Sequence, residues 1–140
     1  MVLGWTPPAP GTSETWTRTV TERDVELYAE MTGDRNPLHF DEAFARSTRF
    51  GRLVAQGGIA TGLFNALVAM RLPGPGSVFL HQEWDYPAPV FIGDTVTAEA
   101  TVVEARPDKP ITTLECVARR QDGTEVLRGR CVVYTMLPEA

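Results

Sequence analysis

GGIATGLFNALVAMRL, residues 57–72, places apolar side chains on nearly every face of a helix: Ile59, Ala60, Leu63, Phe64, Ala66, Leu67, Val68, Ala69 and Met70. A helix that is hydrophobic all round belongs in an interior. The stretch contains Asn65 and Arg71 and is about 16 residues long, too short and too polar to cross a bilayer. It reads as a buried helix, closed by the punctuation Pro73-Gly74-Pro75-Gly76.

After this helix the chain reads as strands. Residues 77–86 (SVFLHQEWDY) are aromatic and β-branched, and residues 95–105 (TVTAEATVVEA) alternate cleanly. Residues 111–120 (ITTLECVARR) and 125–136 (EVLRGRCVVYTM) follow, with a turn at Asp122-Gly123 between them. Before the helix, the Thr-rich residues 12–20 suggest a first strand. Thr21 then starts a helix, with Asp24 three residues on in a weaker form of the capping box, and Val25, Tyr28 and Met31 at helical spacing. Gly33 is its stop. Pro37 sets a new start, and Asp41 caps a brief helix beyond it. Helices come early and strands late, which predicts an α+β fold with an antiparallel sheet curled around the long helix. A helix-on-sheet sandwich of another topology is the alternative.

The chain has 140 residues, about one domain, and residues 1–11 form a Pro-rich N-terminal arm. Its 43% hydrophobic and 22% charged composition is globular. A net charge of −5, with no basic block, argues against nucleic acid or an anionic membrane surface as partner. The N-terminus lacks a basic n-region and an apolar stretch of signal length. Cys116 and Cys131 are too few for a disulfide scaffold or a metal site, and both lie in alternating apolar runs. Two buried free thiols in a cytoplasmic protein are expected.

The chain holds two histidines, His39 and His81, so the search for a general base near neutrality is short. His39 follows Asp34 by five residues, across Asn36-Pro37. The proline fixes one backbone torsion and holds the two side chains in a defined relative pose. A carboxylate and an imidazole sharing one pocket can hold and activate a water. The bland alternative is a cap carboxylate and a loop histidine. Asn36 offers an amide to brace the loop. Gln56-Gly57-Gly58 opens the apolar helix, where unpaired N–H groups stand at the positive end of the dipole. An oxyanion such as a thioester enolate could be held there. A tight loop entering a buried helix would also favour glycine.

The run Thr32-Gly33-Asp34-Arg35-Asn36-Pro37-Leu38-His39-Phe40-Asp41-Glu42 resembles the hydratase motif of the MaoC-like (R)-specific enoyl-CoA hydratases. The resemblance continues through Phe44-Ala45, Phe50-Gly51, the glycine-led helix, residues 72–77, Tyr86-Pro87-Ala88-Pro89-Val90 and Gly93-Asp94-Thr95-Val96. It implies a hot-dog fold, a homodimer with sites near the subunit interface, and an acyl thioester of coenzyme A or an acyl carrier protein as substrate. It gives Asp34 and His39 the place of the water-activating pair, Gly57 that of the backbone donor to the thioester carbonyl, and Asn36 that of the loop brace. Gly58, Gln56 and Thr61 are grouped with Gly57 and Asn36 as the oxyanion and substrate-binding set. The family commonly has His-Gly where this chain has Gln56-Gly57, so residue 56 cannot titrate here. Some members have a serine where Gly62 stands beside Thr61, which bears on substrate preference.

The expected function is therefore a hydro-lyase. One member of the pair removes a proton from water as oxygen attacks Cβ, and the other delivers a proton to Cα. No metal or redox cofactor is required. A hot-dog thioesterase, or a non-catalytic acyl-thioester-binding partner subunit, is the alternative. Arg46, Arg49 and Arg52 could meet the phosphates of coenzyme A, or be solvated surface residues. His81 is read as a surface or sheet-packing residue, Asp94 as a turn residue, and Trp5, Trp16 and Trp84 as core or dimer packing.

Overall fold

The computed structural model describes residues 2–139. Strand β1 (Ser13–Thr19) is followed by α1 (Glu22–Thr32), α2 (Pro37–Phe40), α3 (Glu42–Arg46) and α4 (Gly57–Met70). Strands β2 (Ser77–Asp85), β3 (Thr95–Ala105), β4 (Ile111–Arg119) and β5 (Glu125–Thr135) complete the chain. All pairings are antiparallel, in the order β1-β3-β4-β5-β2, so β1 and β2 are the edges. Helix α4 lies against β1, β2, β3 and β5. This is the α+β hot-dog arrangement, and the expected strand limits hold to within a residue or two.

The alternating strands explain which face meets the helix. Val96, Ala98, Ala100 and Val102 of β3 are buried with Leu114, Cys116 and Ala118 of β4 and Val126, Leu127, Cys131 and Val133 of β5. Period-two alternation sends these side chains, Val126 excepted, to one face and Glu99, Glu115 and Arg128 away from it, while Val126 sits at the shift in register between β4 and β5. Phe64 of α4 sits against Trp84 of β2, with ring centroids 5.1 Å apart. Trp5 is buried and donates its indole N–H to the Arg106 carbonyl (2.7 Å), which ties the N-terminal arm to the sheet. Trp16 packs under the Arg71 guanidinium. Packing is thus the role of all three tryptophans. Cys116 and Cys131 are free and buried, with sulfurs 3.8 Å apart. The neighbouring Cys131 thiol and burial push the Cys116 thiol upward, so it stays protonated.

Helix α4 departs from expectation. Ala60, Leu63, Phe64, Leu67 and Val68 form a buried stripe, but Asn65 is exposed and Met70 is 64% exposed. Ile59, Ala66 and Ala69 are half-buried. One sheet covers one side of a helix, so an all-round apolar sequence leaves its second side open within the chain. The helix also ends at Met70 rather than Leu72. In α1 the inward residues are Val25 and Ala29, whereas Met31 is exposed.

The caps follow the sequence. The Thr21 hydroxyl accepts from the Asp24 N–H, and the Asp24 carboxylate accepts from the Thr21 N–H (both 3.1 Å). Arg18 closes a two-pronged pair on Asp24 (2.6 and 3.0 Å) and holds its carboxyl below the usual range. Gly33, at φ 84°, ends α1 in the left-handed conformation that glycine adopts without strain.

Two buried side-chain oxygens among the described residues are left over, one on Gln56 and one on Thr112. The hydroxyl of Thr112, on β4, is fully buried and has no hydrogen-bond partner. Valine has nearly the same shape without the hydroxyl. Thr112→Val is expected to stabilise the chain by about 1 kcal/mol, read as a Tm rise of a few degrees by calorimetry. A lower Tm would mean the hydroxyl is satisfied.

Candidate active site

Asp34 and His39 are set by three short local structures. Gly33 turns the chain out of α1, and the Asp34 N–H is then held by the Thr32 hydroxyl (3.2 Å). The Asp34 Oδ1 accepts from the Asn36 N–H (3.2 Å), an Asx turn that fixes the carboxylate. The Asn36 Oδ1 in turn accepts from the Leu38 N–H (3.1 Å) and caps α2, with Pro37 at its first position. Asn36 thus holds the turn locally. It acts through its carbonyl oxygen on the backbone of α2.

His39, on α2, is buried, whereas the Asp34 side chain is 41% exposed. The His39 Nε2 stands 3.6 Å from the Asp34 Oδ2. On the other side of the ring, Nδ1 lies 2.6 Å from the carbonyl oxygen of Val54. A carbonyl can only accept, so Nδ1 carries a proton. In the neutral ring Nε2 is then the lone pair, aimed toward the carboxylate. At 3.6 Å the two groups are too far apart for a good direct hydrogen bond, and a water touching both suits that gap.

Val54 also links this pair to the second half of the site. Its N–H donates to the Leu38 carbonyl (3.1 Å), and the Ala55 N–H donates to the Val90 carbonyl (2.8 Å). Three residues after Val54, Gly57 begins α4. The first-turn N–H groups of Gly57 and Gly58 have no carbonyl of their own helix to meet, and Gln56 makes no side-chain cap bond to them. They remain at the positive end of the α4 dipole. Gln56 is buried, and its Nε2 donates to the Val25 carbonyl (3.0 Å), pinning the start of α4 to α1. The buried Gln56 Oε1 has no partner. The Thr61 hydroxyl donates to the Gly58 carbonyl (3.1 Å), so its hydrogen is engaged within α4.

Both glycines have tyrosine side chains close by. A Cβ on Gly58 would fall 1.7 Å from the Tyr28 hydroxyl, and one on Gly57 would fall 2.9 Å from the Tyr86 ring. Sequence reasoning missed these two tyrosines, together with the Val54 carbonyl. Tyr86 stands in the Tyr-Pro-Ala-Pro run, which was a usable signal, but a backbone carbonyl leaves no trace in residue identity. Gly57 and Tyr86 also line one cavity of about 720 Å³ with Arg49, Phe50, Phe91 and Arg120.

The remaining candidates lie elsewhere. His81 is exposed on edge strand β2, 3.6 Å from Glu83. Asp94 is buried and accepts from the Phe91 N–H and the Gln121 side chain (both 2.8 Å), so it is structural. The three arginines do not converge. Arg46 pairs with Glu42 (3.7 Å), the Arg52 guanidinium lies 3.8 Å over the Phe91 ring, and Arg49 stands at the cavity beside Gly57.

A five-stranded antiparallel sheet on one long helix, with a carboxylate–imidazole pair held through Val54 to the segment that opens that helix, is the frame of a hot-dog protein. The family model for the MaoC like domain matches residues 8–125, and the chain belongs to that family. It is 43% identical over 110 residues to the (R)-specific enoyl-CoA hydratase of Aeromonas caviae, covering 79% of this chain and 82% of that protein. It is 40% identical over 123 residues to the 3-hydroxybutyryl-CoA dehydratase of Methylorubrum extorquens, covering 88% and 78%. Among solved structures, the (R)-hydratase from A. caviae involved in PHA biosynthesis superposes with a TM-score of 0.88 at 37% identity, covering 92% of this chain and 98% of that one.

Proposed function

We propose that the chain reversibly adds water across the double bond of a trans-2-enoyl thioester to give an (R)-3-hydroxyacyl thioester, and that Asp34 and His39 activate the water. The observation that carries the roles is the pose of His39. Its Nδ1–H is committed to the Val54 carbonyl, so Nε2 is the available base, 3.6 Å from the Asp34 Oδ2. The Asp34 carboxylate accepts a hydrogen bond from the water and orients it. As the water oxygen attacks Cβ, its proton passes to Nε2 and electron density moves through Cα to the thioester oxygen. The Gly57 N–H meets that enolate oxygen. The imidazolium then protonates Cα, which returns both residues to their starting states. Proton balance thus gives both transfers to His39, with Asp34 orienting the water and stabilising the imidazolium, a refinement of the division of labour expected from sequence.

Loss of the conjugated double bond of crotonyl-CoA, followed by absorbance with the purified chain, tests this reading. Hydration is expected from the chain alone. Release of free thiol from a saturated acyl-CoA would support a thioesterase instead, and inactivity on every thioester would support a binding subunit.

The protein is a homodimer in this reading. Edge strand β2 has no neighbour beyond it within the chain. It exposes Val78 (48%) and Leu80 (57%), and the open side of α4 exposes Met70. A free apolar edge of this kind favours pairing with a second copy. Light scattering at micromolar concentration is expected to give twice the chain mass of 15.4 kDa. A monodisperse monomer would overturn it. The free thiols of Cys116 and Cys131 support a reducing, cytoplasmic location. No helix among the described residues is long and apolar enough to cross a membrane.

A further inference from the structure

We propose that Arg49 anchors the phosphorylated pantetheine arm of the thioester carrier, with the arm running through the cavity that ends at Gly57. The inference rests on the hydratase reading and adds the group that recognises the carrier. The cavity is lined by a backbone donor, Gly57, and by two cations, Arg49 and Arg120. Arg120 is already engaged. It pairs with Asp122 (3.2 Å) and donates to the Pro89 carbonyl (3.1 Å). Of the other two arginines on this segment, Arg46 pairs with Glu42, and both Arg46 and Arg52 share a separate cleft with Glu22 and Glu42. Arg49 has no carboxylate within ion-pair distance among the described residues.

A chain of net charge −5 repels a phosphorylated substrate at long range, so an uncompensated guanidinium beside the site is a selective place to receive one. Tyr86 and Phe50 give the same cavity aromatic walls against which an uncharged arm can lie. The phosphate sits at the far end of the arm from the thioester. In this arrangement the thioester carbonyl meets Gly57 while the phosphate meets Arg49. Arg49 acts on binding and has no part in the proton transfers.

The test compares crotonyl thioesters of coenzyme A, phosphopantetheine and pantetheine with the wild type, Arg49→Gln, Arg49→Lys and the control Arg46→Gln. Arg49→Gln is expected to raise KM for the coenzyme A thioester by about 10- to 100-fold with kcat held within about threefold. KM for the unphosphorylated pantetheine thioester is expected to stay within about twofold, since no charge-assisted bond is lost there. Arg49→Lys should recover most of the loss, and Arg46→Gln should behave as wild type. An equal penalty on phosphopantetheine is expected, because it carries the phosphate shared by coenzyme A and acyl carrier proteins; a penalty confined to coenzyme A would put the contact on the nucleotide and overturn the proposal. An equal KM rise for all three thioesters, or no rise for any, overturns the proposal. Calorimetry with free coenzyme A reads the same dependence without turnover. If the wild type hydrates none of the thioesters, the hydratase reading fails, while calorimetry still decides the anchor.

Discussion

Asp34→Asn and His39→Gln are each expected to lower kcat on an enoyl thioester by about 10²–10⁴, the usual contribution of one positioned acid or base. Asparagine keeps the size of Asp34 and can still accept from the Asn36 N–H, so the Asx turn survives. It removes the charge that orients the water and stabilises the imidazolium. Glutamine at residue 39 keeps about the length of the side chain but offers no basic nitrogen in place of the ring held on the Val54 carbonyl. The double variant should be little slower than the worse single one, because groups that act on one water are not additive. KM should move little, and His81→Gln, on an exposed histidine far from these contacts, should stay within a few-fold of wild type. Steady-state kinetics on crotonyl-CoA, with circular dichroism as the check on folding, reads all four variants. Near-full turnover in both folded single variants would remove Asp34 and His39 from the mechanism.

The largest loss of stability is expected from Phe64→Ala. Phe64 is fully buried on the sheet-facing stripe of α4, and its ring meets Trp84 of β2. Truncation removes the transfer free energy of the ring and leaves a cavity that two regular elements cannot easily close. Chemical denaturation should show a loss of about 3–5 kcal/mol. A loss below about 1 kcal/mol would mean that the α4–β2 contact collapses freely around the gap. The contrast is Met70→Ala on the same helix, which is 64% exposed within the chain and should cost the isolated chain little.

Much of the candidate site was legible because its parts are local. Asp34, Asn36 and His39 sit within six residues, and the turn chemistry of glycine, asparagine and proline fixes their relative pose. The capping box at Thr21 and Asp24 and the left-handed stop at Gly33 are likewise written in residue type. What was not legible came from contacts between distant segments. The Tyr28 hydroxyl on Gly58, the Gln56 amide on the Val25 carbonyl and the Val54 carbonyl on His39 join residues 15 or more positions apart. Sequence spacing carries no record of them.

The sequence by itself determined the fold class. Hydrophobic period separates strand from helix at every long element, since a strand shows alternate side chains to one face and a buried helix shows apolar residues along its length. It also determined the chemistry on offer, because the chain holds two histidines and one of them stands beside a rigidly turned carboxylate. Only the tertiary structure decided three further matters. It oriented the His39 ring, because the hydrogen bond that commits Nδ1 comes from a backbone carbonyl 15 residues away. It split three similar arginines into one paired with Glu42, one stacked on Phe91 and one over Phe50 with no carboxylate partner among the described residues, because their fates depend on neighbours brought in by folding. And it showed that α4 keeps an open side, because apolar residue type states what must be covered, and one five-stranded sheet covers one face.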